Sequence, residues 1–338
     1  MTMRRAATIE DVAQAAGVSR QTVSNVLNAP DIVREATRER VRAAITALGY
    51  APHASARRLR LQRSSTIGIH LDPYAGGISG VVLDRFVHAL TEQAGERRQR
   101  VLVYAARSPE DEIARMAELA DGGEIDAVVI TGTFHGDPRT VWLAERDLPF
   151  VSFGRPWGVD DIDDPAHLWV DVDGAAGTRA ATEYAMGQVG PRVAFLGWPG
   201  GSGTGDDRER GWLEARGGLP PAPRLTAVES VAEGRAAAAA ALASREFDAL
   251  VCASDVLAIG AHLAATDAGA DMPVIGFDNT PAAEALGISS VEQLPEKVAE
   301  GVLELLMGER TAISPRSASP GHAHVLVEPR LVVRRPAA

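Results

Sequence analysis

TIEDVAQAAGVSRQTVSNVLN, residues 8–28, encodes two helices and the tight turn between them. Thr8 is a good N-cap, and Asp11 completes a Thr-x-x-Asp start signal, with Glu10 adding negative charge near the positive helix end. A helix is therefore predicted from Ile9. Ile9, Val12, Ala13 and Ala16 fall at the i, i+3, i+4, i+7 spacing of one apolar stripe, and Gly17 supplies the left-handed residue that stops it. Ser19 caps a second helix, in which Val23, Val26 and Leu27 share one side. Arg20, Gln21, Ser24 and Asn25 take the other, because successive residues are rotated by about 100°.

That outer face consists of hydrogen-bonding groups. Two helices joined by a short Gly-containing turn, the second with such a face, match a helix-turn-helix whose second helix enters a major groove. There Arg reads guanine, and Gln or Asn reads adenine, through paired hydrogen bonds. An amphipathic hairpin with a solvated polar face is the alternative. Val41, Ala44, Ile45 and Leu48 form a third stripe, closed by Gly49 and followed by Pro52, so a third helix can cover the first two.

Together with VREATRERVRAAITALGYAPHASARRLR, these words resemble the N-terminal headpiece and hinge of the lactose-repressor (LacI/GalR) family of bacterial transcription regulators, almost without gaps from Thr8 to Leu61. The resemblance implies a headpiece over 1–50 with DNA contacts from Thr8, Ser19, Arg20, Gln21, Thr22, Ser24, Asn25 and Asn28. Residues 51–63, APHASARRLRLQR, are too short to be a stable helix in water by themselves. The resemblance makes them a hinge helix that orders in the minor groove when two subunits pair on DNA. Arg57, Arg58 and Leu59 would be its contacts, Leu59 as a wedge between base steps; a flexible basic linker is the alternative.

The net charge of −11 looks wrong for a polyanion binder until it is divided by position. Residues 1–63 hold 11 Arg against five acids, a net of +6, leaving 23 basic and 40 acidic groups, net −17, in the remaining 275 residues. The basic segment attracts phosphate, while the acidic body is repelled and helps orient it. At 338 residues the chain is too long for one core, and ~100–200 residues per domain gives two or three. No apolar run approaches the ~18 residues of a membrane span, and the N-terminal region carries helix caps in place of an apolar leader, so a cytoplasmic protein is expected. Cys252 is the only cysteine, which excludes an intrachain disulfide and a cysteine metal cluster.

From Thr66 the pattern alternates between short β-rich runs and amphipathic helices. TIGIHL, VLVYAA, DAVVIT and PFVSFG read as strands, with helices over about 79–97, 110–121 and 138–146. RVAFLG, LTAVES, DALVCA and MPVIGF form a second series, with helices near 174–188, 207–216, 233–245 and 255–268. Such alternation implies parallel sheets with right-handed crossovers, and two series imply two lobes. The expected class is α/β, an all-α helix-turn-helix headpiece followed by a core over 64–338. The resemblance makes that core a two-lobed type I periplasmic-binding-protein fold whose chain crosses between lobes three times. Lobe 1 would take about 64–172 and 297–324, and lobe 2 about 173–296 and 325–338.

Ligands of open α/β lobes bind beyond the carboxyl ends of the strands. That rule selects Asp72, Arg155, Arg208, Ser254, Asp255 and Asp278, with Asp173 at the crossover; the resemblance puts Arg208, Asp278 and Asp173 at effector contacts. Carboxylates and an Arg suit the hydroxyls of a sugar, and Trp157, Phe153, Phe134 or Tyr74 could stack on its apolar face. Asp173, Asp207 and Asp255 also precede helices and can be read as N-caps. GWPGGSGTGDD lacks the spacing of a dinucleotide fingerprint and the Lys-Ser/Thr ending of a phosphate loop, and its two Asp would repel phosphate. Eight scattered histidines include no HExxH, and His322-x-His324 reads as a solvated loop. No metal site, cofactor or catalytic centre is expected.

The expected function is a ligand-gated regulator, most simply a repressor released by a sugar. A transport binding protein would have the lobes but not the basic headpiece, and a nucleotide-dependent enzyme would need the phosphate loop. A non-sugar effector or a corepressor remains the alternative. The expected partners are a near-palindromic double-stranded operator, a carbohydrate effector and a second copy of the chain, because hinge pairing takes two chains. A tetramer is not expected, since Pro336-Ala337-Ala338 leaves no room for a C-terminal heptad helix.

Overall fold

The computed structural model describes residues 7–50, 64–71, 80–157, 162–307 and 323–334. Two compact units divide the chain, Met1–Ser64 and Ser65–Ala338.

In the first unit, α1 (Ile9–Ala16) opens with a reciprocal capping box: the Asp11 amide donates to the Thr8 hydroxyl, and the Thr8 amide donates to Asp11 at 2.7 Å. Gly17, left-handed at φ 61°, ends it. The Ser19 hydroxyl accepts the Thr22 amide and so starts α2 (Arg20–Asn28). A 3-10 turn (Pro30–Ile32) leads to α3 (Glu35–Leu48), which stops at left-handed Gly49. Val12, Ala13, Ala16, Val23, Val26, Val41 and Ala44 are buried together, so the three sequence stripes meet in one small core.

The second unit begins with β1 (Thr66–Leu71), α4 (Val81–Glu96), β2 (Arg100–Ala105), α5 (Pro109–Asp121), β3 (Ala127–Thr131), α6 (Pro138–Glu145), β4 (Phe150–Phe153) and β5 (Trp169–Val172). It continues with α7 (Gly174–Val189), β6 (Val193–Gly197), α8 (Gly203–Arg216), β7 (Arg224–Thr226), α9 (Val231–Leu242), β8 (Ala249–Cys252), α10 (Asp255–Asp267), β9 (Val274–Phe277), α11 (Pro281–Ala285) and β10 (Ser289–Glu292). The chain then forms α12 (Pro295–Met307), β11 (His324–Val327) and β12 (Arg330–Val332).

Two sheets result. The first has the order β11-β5-β4-β3-β1-β2, every pair parallel; the second has the order β12-β10-β9-β8-β6-β7, parallel except for β12 against β10. Parallel strands need helices on both faces, and their near-continuous apolar runs supply the burial. In the first sheet Phe86, Leu90, Val298 and Val302 cover Ile69, Val129 and Val170 on one face. Met116 and Leu143 cover Val128 and Ile130 on the other. In the second lobe Phe195, Leu250, Leu257, Ile275 and Phe277 are fully buried. Here α7 and α8 approach so closely that a Cβ on Gly211 would lie 2.1 Å from the Ala175 carbonyl oxygen.

The chain passes between sheets after β5, after β10 and between β11 and β12. The sequence reading put the last passage at residue 324/325, but His324–Val327 pairs with Trp169–Val172 in the first sheet. The crossing falls at Glu328 and Pro329, where proline interrupts what reads as one β-rich run. Nor is His324 in a loop: it opens β11, and its ring stacks on that of its register partner Trp169 at 4.7 Å. Helix α8 starts at Gly203, four residues before the expected start, because Ser202 caps it through the Gly205 amide. Among the described residues no helix is long and apolar enough to cross a membrane.

Candidate functional site

On the headpiece, α2 leaves Arg20 and Gln21 exposed, while Ser24 and Asn25 are half-buried. Gln21 Nε2 donates to Asn25 Oδ1 at 2.9 Å, which aligns two amides along the helix. Arg20 Nη1 meets Glu10 of α1 at 2.9 Å, a solvated pair that is cheap to break. The Ser19 and Thr22 hydroxyls share a 2.8 Å hydrogen bond at the helix start, and the Thr8 hydroxyl donates to Asp11 at 2.8 Å. The Asn28 side chain and residues Arg57, Arg58 and Leu59 lie outside the described residues.

In the second unit a cavity of about 230 Å³ lies between the lobes. Thr131, Thr133, Phe153, Arg155, Trp157 and Asp171 line it from the first lobe. Gly174, Thr204, Asp207, Arg208, Phe277 and Gln293 line it from the second. Arg155, just beyond β4, bridges the two sides: Nε donates to Asp171 Oδ2 and Nη2 to Asp207 Oδ2, both at 2.7 Å. The two carboxylates raise its already high pKa against the cost of burial. Burial in turn pushes the Asp171 carboxyl up, more than the pairing with Arg155 lowers it.

Arg208 is buried on α8. One face of its guanidinium lies 3.8 Å from the Phe277 ring centroid, and Nη1 donates to the Ala253 carbonyl. Asp278 Oδ1 stands 3.7 Å from Nη1, too far for a hydrogen bond. Arg208 Nε is buried without a hydrogen-bond partner among the described residues. Burial lowers its pKa, with Asp278 the main opposing influence. Burial also lifts the Asp278 carboxyl to about 7, Arg208 only partly offsetting it, while Gln293 Nε2 donates to Asp278 Oδ1 at 2.6 Å. Asp278 sits at φ 115° with Asn279 at φ 50°, two consecutive non-glycine residues in left-handed territory beside the cavity.

Of the sequence candidates, Arg155 and Arg208 line the cavity, and Asp278 backs it through Arg208 and Gln293. Three others are not among the residues that line it and have structural partners. Asp173 caps α7 through the Ala176 amide. Ser254 caps α10 through Leu257 and donates to Glu229 at 2.9 Å. Asp255 is wholly buried, accepting from Ser290 Oγ and from both the amide and the hydroxyl of Thr280. Its oxygens are spent fastening α10 to the ends of β9 and β10. Phe153 and Trp157 line the cavity; Phe134 is exposed under Arg139 instead, and Asp72 and Tyr74 lie outside the described residues.

Sequence reasoning did not select Asp171, Gln293, Phe277 or the threonines, and it considered Asp207 only as a cap. Asp171 sits on β5 and Gln293 follows β10, four-residue strands that had not been read. The sequence signal for Asp207 is its place next to Arg208 on one helix; only the structure shows that its Oδ2 also accepts the Ala175 amide at the start of α7.

A profile described as bacterial regulatory proteins, lacI family, matches residues 8–53, and one for a periplasmic binding protein-like domain matches 190–335. The HTH-type transcriptional regulator CelR of Thermobifida fusca is 30% identical, with 99% of each chain covered. The crystal structure of a LacI-family regulatory protein from Chloroflexus aggregans is similar at 31% identity and a TM-score of 0.73, over 81% of this chain and 99% of that one. A CelR–cellobiose complex is similar at 26% identity and a TM-score of 0.69, over 98% and 100%. The helix-turn-helix, the paired parallel lobes and this full-length likeness together mean that the chain belongs to the LacI family of bacterial regulatory proteins.

Proposed function

We propose that this protein is a sequence-specific transcriptional repressor whose operator affinity is controlled by a neutral carbohydrate bound between the lobes and acting as inducer. Residues 1–50 would read DNA through Arg20, Gln21, Ser24 and Asn25, residues 51–63 would serve as the hinge, and 64–338 would bind effector and pair with a second copy. The protein works in the cytoplasm as a homodimer on a near-palindromic site. Arg208 carries this reading. A buried guanidinium that lines a cavity, stacks on an aromatic ring and keeps Nε unpartnered is a donor held ready for a ligand oxygen.

The charge balance supports a neutral ligand. Arg155 is matched by Asp171 and Asp207, and Arg208 faces Asp278, so the cavity offers an anion no surplus cation. Phe153, Phe277 and Trp157 give a sugar ring apolar surface, and the threonines and carboxylates give its hydroxyls partners.

Thermal-shift screening against sugars, followed by operator gel shifts with each hit, tests the proposal. Arg208→Ala should weaken effector binding by about 10- to 100-fold, the loss of a charged hydrogen bond of ~1.5–3 kcal/mol. A full response by the variant at the wild-type effector concentration would sink the cleft assignment. A response to anionic ligands alone would sink the carbohydrate.

A further inference from the structure

Trp157 follows β4 in the first lobe, yet its indole rests on the second. A Cβ added at Gly203, the first residue of α8, would lie 2.1 Å from indole Cδ2 and 2.3 Å from Cγ, so the ring occupies the space a side chain there would fill. The Arg155 guanidinium is 4.8 Å from the ring centroid, and the Trp157 carbonyl is held by His135 Nδ1 at 3.1 Å. Indole Nε1 is buried with no hydrogen-bond partner among the described residues. A buried indole N–H ordinarily finds an acceptor, so its lack of one at the wall of a cavity marks a place for a ligand oxygen.

The space left beside the indole is small. At about 230 Å³ the cavity falls below the roughly 300 Å³ at which pockets for drug-sized ligands begin. One pyranose ring suits it. A second ring continuing past the first toward α8 would meet the indole on Gly203.

We propose that Trp157, seated on Gly203, is the specificity-determining residue that limits the effector to a single sugar ring and donates its indole N–H to an oxygen of that ring. The inference rests on the carbohydrate reading and adds the length of the ligand. It also separates this cleft from that of the CelR relative, whose structure is of a complex with cellobiose, a disaccharide.

The test titrates the full-length protein and three variants with monosaccharides (glucose, galactose, mannose, xylose) and with disaccharides (cellobiose, maltose, lactose), following binding by calorimetry. Wild type should bind its best monosaccharide at least tenfold more tightly than any disaccharide. Trp157→Ala should narrow or invert that ratio by about tenfold, as room for a second ring opens. Trp157→Phe keeps a ring on Gly203 but has no N–H, so it should keep the preference for one ring with affinity about tenfold lower, ~1.4 kcal/mol. Gly203→Ala forces the indole off its seat and should weaken monosaccharide binding at least tenfold; this variant carries the test if Trp157→Ala does not fold. Equal wild-type affinity for one and two rings, an unchanged ratio in Trp157→Ala, or unaltered binding by Gly203→Ala would each overturn the assignment of Trp157 while leaving a carbohydrate site standing. Failure of every sugar to bind wild type would overturn the carbohydrate reading itself, and the inference with it.

Discussion

Asp278 holds the sharpest conflict between a side chain and its surroundings. Its carboxyl titrates at about 7 in the folded protein because burial disfavours the anion more than Arg208 favours it. In the unfolded chain it would titrate near ~3.9. Between those values the folded state binds more protons, so this residue's contribution is fully present below about pH 4, is lost as pH rises, and levels off above about pH 7. Asp278→Asn should remove that slope and leave the variant more stable than wild type at pH 8, by on the order of 4 kcal/mol at most, for about 3 pH units at ~1.36 kcal/mol each. Urea melts of both proteins at pH 5 and pH 8 check it, and parallel pH profiles would contradict the assignment. The rule that selects residues just after a strand picks Asp278, Ser254 and Asp255 alike, although only Asp278 stands beside a residue that lines the cavity through its approach to Arg208. Position after a strand does not reveal whether a carboxylate turns toward the cleft or back into the sheet, as Asp255 does toward Ser290 and Thr280.

Whole elements were legible where their side-chain period was long enough to count. The first three helices were readable from caps and stripes, and their core contains the residues the stripes named. Strands β5 and β10 were not: the equally short β4, β8 and β9 are largely apolar runs, whereas Asp171 interrupts β5 and Ser289–Glu292 is rich in polar residues satisfied by neighbours. The Gly-rich run before Arg208 looked like loop, yet Gly203 and Gly205 are helical because Ser202 caps them and Trp157 needs the space. For α2 as a reading head, Arg20→Ala should cost ~1–3 kcal/mol on the preferred operator and relax selection at one base position. Random-site selection measures this; an unchanged preferred sequence would refute the placement of Arg20 in the groove. The ion pair with Glu10 does not protect Arg20 from that role, because so exposed a pair contributes little.

Across the whole core, the lobes are tied by the three chain crossings and by the Arg155–Asp207 pair. Division of the chain by charge and by its two strand series was visible in sequence because both are sums over many residues. A bridge between residues 52 positions apart leaves no periodic trace, and only the fold reveals it. Because Asp207 also accepts the Ala175 amide and Arg210, its loss should loosen lobe closure as well as a local contact. Asp207→Asn keeps the shape but removes the charge facing Arg155, and it should shift effector affinity by about tenfold, within the ~1–3 kcal/mol typical of coupling between states. Calorimetric titration with the identified effector decides it, and an unchanged affinity would show that the bridge does not bias closure.

The third crossing also bears on how the gene tolerates damage. Twelve residues, 323–334, carry an edge strand for each sheet, β11 for one lobe and β12 for the other, with only Glu328 and Pro329 between them. A frameshift or premature stop at the start of that segment would not trim a peripheral tail. It would strip both lobes at once, exposing the backbone edges of β5 and β10 to whatever chain passes by, and the truncated product would be more prone to edge-to-edge aggregation than to partial function.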